Sequence, residues 1–301
     1  MMKKYFRKNK FLYAFSKLVY FSFLRRLLIF LPREIAHKIL YRVAIGKKLD
    51  LKKTKDLNQK IHYLIVYKLG DREALLLDKY TVKQYLKELN IADLHVAKLF
   101  EKYDSTDQID LDKLPDKFVL KTTHGNDDTE ICLDKSTFDL QSAKIRLKKA
   151  LKQNMSKDLC EYFSINVTKA ILCEEYIDDF SGINPIDYKI YCIHGIARCI
   201  MVYVGRRENS RHDCYDTNWN RLDWCVEENR IQVATPKPAN LQRMIEIAEE
   251  LTKPFPLVRL DLYNANGKIY FGEFTFTSFD GNIRDLKQCA LDELGSLLVL
   301  K

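Results

Sequence analysis

Residues 258–277 read VRLDLYNANGKIYFGEFTFT, and this stretch decides the fold. Asn266-Gly267 at its centre is the strongest short hairpin signal, because a two-residue turn needs φ above zero at both positions. The arms, Val258–Tyr263 and Lys268–Thr275, are therefore antiparallel strands. Strand side chains alternate between faces with period two, so Arg259 and Asp261 share a face. Asp261 lies four residues before Ala265 and Glu273 five beyond Lys268, which makes the carboxylates cross-strand neighbours or nearly so. Paired carboxylates repel and call for a counter-charge, which Mg²⁺ bridging phosphates would supply. An exposed sheet face with solvated acids fits the same pattern.

Working outward, Asn240–Leu251 is a helix with Leu241, Met244, Ile245, Ala248 and Leu251 on one face. Before it, Asp187–Ile193 and Ile196–Val204 pair across His194-Gly195, a second hairpin. Ala170–Ile177 reads as a strand, as do Phe118–Thr123 and Thr129–Leu133, with the polar loop His124–Asp128 between the latter two. Phe138–Leu151 has helical spacing, and Leu57–Leu99 reads as helices. Helices, then strand–loop–strand–helix, then hairpins make an α+β order and not a βαβ sheet. Two smaller signals sit inside it. Lys121 leads into a turn with free backbone N–H groups, a possible phosphate cradle or a plain strand end. Glu174-Glu175-Tyr176-Ile177 closes an apolar strand, where backbone groups can read an adenine edge and an acid can take ribose hydroxyls; equally it is a strand terminus.

With 47% hydrophobic and 30% charged residues, the 301-residue chain buries its own core without staples. Its net charge of +9 is local. Residues 1–60 hold 17 Lys and Arg against Glu34, Asp50 and Asp56, a balance of +14, whereas the other 241 residues carry 33 basic and 38 acidic side chains. A net-acidic body does not suit nucleic acid. In the basic segment the run 11–31 is broken by Lys17, Arg25 and Arg26, and its longest uncharged stretch, Leu18–Leu24, falls far short of the ~20 residues a spanning helix needs. Residues 1–48 are thus expected either to lie as a basic amphipathic helix on the inner face of the membrane or to pack on the domain. The eight cysteines form no CxxC pair and several sit in apolar runs, which points to reduced core thiols in a cytoplasmic protein.

Asp78-Lys79-Tyr80, the run "PDKFVLKTTHG", Glu174–Ile177, the "DYKIYCIHG" hairpin, "YDTNWN", "KPANLQRMIEIAEEL" and the closing "VRLDLYNANGKIYFGEFTFT" together resemble the TupA-like ATP-grasp family over residues 49–280 or so. That family is associated with cell-surface polysaccharide biosynthesis and named for a teichuronopeptide synthesis protein. The resemblance implies two α+β lobes with antiparallel sheets clamping ATP, in a domain over 49–301: a helical part 49–113, a small lobe 114–177 and a large lobe 178–301. It implies that Lys79 and Lys121 neutralise phosphates under a loop containing Thr123 and Gly125. Glu174, Glu175, Tyr176 and Ile177 would form the adenine hinge, with Glu175 or Asp178 near the ribose. Asp261 and Glu273 would hold Mg²⁺, with Thr275 where the superfamily usually has asparagine. Arg259 would stabilise the transferring phosphoryl group, and Lys189 is a weaker candidate for the phosphate or carboxylate end. The implied reaction makes an acyl phosphate that an amine captures as an amide, on a carboxylate-bearing saccharide. A sugar or lipid-head-group kinase and a non-catalytic nucleotide-binding scaffold are the alternatives. Two loops depart from the family pattern: Asn126-Asp127-Asp128, where relatives tend to have small residues, and Ser278-Phe279-Asp280-Gly281-Asn282 in place of a proline and glycines.

Overall fold

The computed structural model describes residues 27–125, 128–154, 157, 159–178, 186–205 and 210–300. The first 26 residues of the basic segment and Asn126-Asp127 of the polar loop lie outside them. The chain runs α1 (Arg33–Ile45), α2 (Leu57–Tyr67), α3 (Asp71–Leu77), α4 (Thr81–Leu89), β1 (Leu94–His95), β2 (Leu99–Tyr103), β3 (Phe118–Thr122), β4 (Glu130–Cys132) and α5 (Leu140–Lys152). It continues with β5 (Ile171–Glu174), β6 (Asp187–Ile193), β7 (Ile196–Val204), β8 (Arg211–Tyr215), α6 (Leu241–Thr252), β9 (Leu257–Ala265), β10 (Lys268–Thr275) and α7 (Gln288–Leu297). The helical reading of Leu57–Leu99 overran: helix stops at Leu89, where Asn90 turns left-handed at φ 48° and ends α4. Two short strands follow, each too brief for its alternation to show in sequence.

Two sheets result. Six strands run in the order β1-β10-β9-β6-β7-β8, antiparallel except for β1 beside β10, and four run β2-β5-β3-β4. Both hairpin turns have φ above zero at their two central residues, His194-Gly195 and Asn266-Gly267. In β6 the alternation sorts side chains cleanly. Tyr188, Ile190 and Cys192 join the core under α6, with Met244, Ala248 and Leu260. Tyr191, Ile193 and Cys199 belong to the opposite face, beneath Ile61, Leu64 and Ile65 of α2 and Leu291 and Leu294 of α7. Removing such a side chain to alanine costs about 2–5 kcal/mol. Helix α5 covers the small sheet through Leu147 against Phe118 and Leu120. Seven cysteines are buried and Cys289 is exposed, and none of the eight forms a disulfide.

The described part of the basic segment is no detached arm. Helix α1 buries Ala36, His37, Leu40 and Tyr41. His37 meets His62 of α2 across a 2.8 Å Nδ1–Nδ1 contact. His37 Nε2 donates to the Cys160 carbonyl at 3.2 Å, which leaves the Nδ1 of a neutral His37 to accept from His62. Among the described residues no helix is long and apolar enough to cross a membrane.

Candidate active site

The central strands build the site, and a bulge aims it. Counting from the Asn266-Gly267 turn, Ile269 faces Asn264, Tyr270 faces Tyr263 and Phe271 faces Leu262. Continued unbroken, that register sets Glu273 opposite Leu260, on the far face. Instead Gly272 is skipped, so that Glu273 pairs with Asp261 and Thr275 with Arg259. A Cβ on Gly272 would lie 2.8 Å from the Asp261 carbonyl oxygen, which only glycine permits.

Strand β6 lies on the other side of β9, with Lys189 opposite Asp261. Arg259 grips Asp261 with two bonds, Nε to Oδ1 at 2.7 Å and Nη2 to Oδ2 at 2.8 Å. Its Nη2 also donates to Thr275 Oγ1 at 3.0 Å and reaches Glu273 Oε1 at 3.4 Å. Thr275 Oγ1 donates in turn to Glu273 Oε1 at 3.1 Å. Lys189 Nζ bonds Asp261 Oδ2 and lies 2.6 Å from Asp187 Oδ2. Burial opposes the Arg259 charge, but Asp261 and Glu273 outweigh it and hold the guanidinium protonated well above its ordinary range. Burial likewise works to raise Asp261, and Arg259 and Lys189 bring it below the usual carboxylate value. Asp187 goes the other way: burial lifts it to about 6 despite Lys189.

The small sheet supplies the facing group. Lys121 Nζ lies 2.6 Å from Glu174 Oε2, and Lys83 Nζ 3.2 Å from Glu174 Oε1. Glu174 is buried, so two lysines are held by one carboxylate at a strand end. Lys79 Nζ donates to the Gly125 carbonyl at 2.6 Å, and its backbone N–H to the Thr123 carbonyl at 3.1 Å. Burial lowers the Lys79 ammonium below its ordinary value, while Glu273, Asp128 and Glu174 act to raise it. Lys79 therefore feels carboxylates of both sheets, Glu273 on β10 and Glu174 on β5.

Every nominated residue has a place. Arg259, Asp261, Glu273, Thr275 and Lys189 form one cluster; Lys121 and Glu174 form a second; Lys79, with Thr123 and Gly125, stands between. The Thr123 hydroxyl is spent internally, donating to the Thr168 carbonyl at 2.7 Å and accepting from Ala170 N at 3.1 Å. Asp128 folds back onto the loop, accepting from the Thr122 backbone N–H at 3.0 Å and bonding its hydroxyl, while its charge still acts on Lys79. Glu175 accepts from Lys98 N at 3.1 Å. Asp178 pairs with Lys117 at 2.9 Å, and its carbonyl accepts from Asn266 Nδ2 at 2.6 Å, at the hairpin tip. Tyr176 and Ile177 are half-buried. Sequence reasoning missed Lys83 and Asp187 as site residues. Asp187 stands two residues before Lys189 on the same strand face, a spacing that carried the signal, whereas Lys83 lies inside α4 and Lys79 in the turn before it.

Among the described residues no three His, Cys, Asp or Glu side chains gather into a group that could hold a metal ion. A cation carried by a nucleotide needs less, one or two carboxylates with phosphates as the other ligands. The pair here fits that demand: hard oxygen donors on adjacent strands, with the Glu273 side chain 43% exposed against 2% for Asp261.

The loop after β10 bounds the site. Phe279 (φ 51°, ψ 37°) and Asp280 (φ 56°, ψ 31°) are both left-handed, at a cost of about 1–3 kcal/mol each. Asn282 stands 3.3 Å from His62, and Asn58 Nδ2 donates to the Ile283 carbonyl at 3.0 Å, so α2 braces the loop.

A family model described as TupA-like ATPgrasp matches residues 59–299. No curated protein matches in sequence. Among solved structures, D-alanine–D-alanine ligase from Bacillus anthracis complexed with ATP aligns at 16% identity and a TM-score of 0.44, covering 74% of this chain and 61% of that one. The ATP-grasp ligase PsnB complexed with minimal precursor aligns at 13% and 0.41, over 75% and 60%. Phosphoribosylamine–glycine ligase from Thermotoga maritima aligns at 13% and 0.42, over 71% and 52%. The chain thus spans about three-fifths of the first of these proteins or less.

Proposed function

The chain belongs to the TupA-like ATP-grasp family, and from that premise we propose that it is an ATP- and Mg²⁺-dependent carboxylate–amine ligase. The observation that carries the reading is the Arg259–Asp261–Glu273–Lys189 cluster together with Lys79, on which both Glu273 and the Glu174 that pairs with Lys83 and Lys121 act. Five cations, Arg259, Lys189, Lys79, Lys83 and Lys121, stand among the carboxylates of Asp261, Glu273, Asp187, Glu174 and Asp128, and a polyanionic ligand can take over their contacts.

In this mechanism Lys79 and Lys121 neutralise the nucleotide phosphates, and Glu174 orients Lys121 and Lys83. Backbone groups of Glu174–Ile177 meet the adenine, with Glu175 or Asp178 near the ribose. Bound with the nucleotide, Mg²⁺ would be held by Asp261, Glu273 and Thr275 and would supply charge neutralisation. Arg259 and Lys189, buried and firmly protonated, offset the charge that develops in phosphoryl transfer. A carboxylate oxygen of the acceptor attacks the γ-phosphorus, the bond to the bridging oxygen breaks and ADP leaves. The amine then attacks the acyl carbon, inorganic phosphate departs, and the nitrogen gives up its proton as the amide forms.

The family's association supports a surface-polysaccharide precursor bearing a uronic acid as acceptor. The +14 balance of residues 1–60 supports work on a lipid-carried substrate at the cytoplasmic membrane face. ADP release requiring both a carboxylate and an amine, with carboxylate oxygen label appearing in phosphate, is the expected result. Phosphate passed to a hydroxyl without label transfer would make the protein a kinase instead, and nucleotide binding without turnover would make it a scaffold.

A further inference from the structure

The turn before α1 and the helix itself sort their side chains to two sides. Leu28, Ala36 and Leu40 close on Cys160 as one small core. Leu27, Phe30, Leu31 and Ile35 stand outside it, Phe30 with 79% of its surface exposed and the other three with 39–48%. Within α1, Lys38 and Arg42 follow Ile35 at steps of three and four residues, and both are exposed. That side of the helix therefore passes from apolar to basic along its length.

Residues 27–55 carry eight Lys and Arg against two acids, Glu34 and Asp50. Both acids are engaged, Glu34 with Lys38 at 3.4 Å and with the Tyr67 hydroxyl, Asp50 with the Lys52 backbone N–H at 3.0 Å. The 26 residues before Leu27 add eight Lys and Arg, eight aromatic side chains and no acid. This charge selects among the things that could cover the face. The preceding segment carries the same sign. So does a second copy, whose two-fold contact would set like charges against each other. An anionic surface meets no such repulsion. Aromatic and aliphatic side chains beside lysine and arginine suit a bilayer interface, where the apolar groups enter the headgroup boundary and the cations meet lipid phosphates.

We propose that the face from Leu27 to Arg42 docks the protein on an anionic lipid bilayer. Phe30, Leu31 and Ile35 enter the headgroup boundary, and Lys38 and Arg42 lie along it. The assignment deepens the membrane part of the ligase reading, and rests on that reading for its role, by naming the surface and the charge of its partner. The binding it asserts is separable from turnover.

Flotation of the full chain with phosphatidylcholine vesicles, made with and without phosphatidylglycerol, tests it. Binding is expected to the anionic vesicles alone and should fall as salt is raised. Phe30→Ser should weaken it about tenfold through lost apolar insertion, and Lys38→Gln about fivefold through one lost charge. Both side chains are exposed, so the urea midpoint and Mg·ATP affinity should stay at the parent's values. No vesicle binding, equal binding to both kinds of vesicle, or anionic binding unmoved by both variants would overturn the assignment, the last by leaving the docking to residues 1–26 alone. Polyglutamate bound as tightly as the anionic vesicles, and weakened equally by Phe30→Ser, would overturn it by making the partner an acidic protein. Vesicle binding without amide formation would strike the ligase reading and leave the docking face standing, and amide formation without vesicle binding would do the reverse.

Discussion

Replacing Gly272 by alanine adds one methyl group and tests how the site is aimed. The new Cβ would stand 2.8 Å from the Asp261 carbonyl oxygen, 0.6 Å inside the 3.4 Å at which ordinary contact begins. That obstacle is backbone in a central strand, paired on its other side to β6, so it cannot swing aside as a side-chain end would. Overpacking of this kind costs about 1–3 kcal/mol. The chain can relieve it by abandoning the bulge, and the register then moves by one residue, carrying Glu273 and Thr275 to the opposite face. Arg259 would lose its Thr275 and Glu273 contacts, and Asp261 its cross-strand partner. Urea unfolding should show a lower midpoint at unchanged m-value, by that 1–3 kcal/mol. Calorimetric titration with Mg·ATP should show at least a tenfold loss, since one charged contact is worth about 1.5–3 kcal/mol. A Gly272→Ala protein as stable as the parent and binding Mg·ATP equally well would refute the argument from the bulge.

Three further outcomes follow from the same structure. Lys79→Met should weaken Mg·ATP binding roughly 10–100-fold while leaving unfolding stability equal or higher, because burial penalises that ammonium in the free protein; parallel calorimetry and urea melts check both halves. Burial lowers His37 to about 4 and His62 to about 3. Both lie below the unfolded value, so the unfolded chain binds more protons in acid, and the stability these rings contribute is present above pH 6.5 and lost as pH falls toward 4 and 3. From pH 7 to 5 the loss from the pair is about 3–4 kcal/mol, read as a falling urea midpoint, and His37→Leu should remove about half of that slope. Ellman titration should find one reactive thiol in the native protein, Cys289, and all eight after unfolding.

Much of the large sheet was legible because its turns are written in residue type. Asn266-Gly267 and His194-Gly195 each fix a hairpin, and their strands emerge within a residue or two of the expected spans. The helix at Leu241–Thr252 was legible for a similar reason, its apolar face repeating at helical spacing. The bulge was not. Counting from the turn sets Glu273 against Leu260, and only the lone Gly272 hints at the slip that brings it to Asp261. Strands β1 and β2 were hidden by their length and by the helices before them. The His37–His62 contact joins residues 25 apart through tertiary packing alone, which no local pattern encodes. Of the candidate site, the residues sharing a strand face with Asp261 could be read from alternation. The pairing of Lys121 and Lys83 on Glu174 could not, because it needs β3, β5 and α4 brought together.

A crystal structure with Mg²⁺ and a non-hydrolysable ATP analogue shows whether the two charged groups meet on one nucleotide. The triphosphate is expected between the sheets, with Lys79, Lys121 and Arg259 on its oxygens and the cation on Asp261 and Glu273. An analogue bound elsewhere, or one bound here with Lys121 still turned to Glu174 and no cation on either carboxylate, would contradict it.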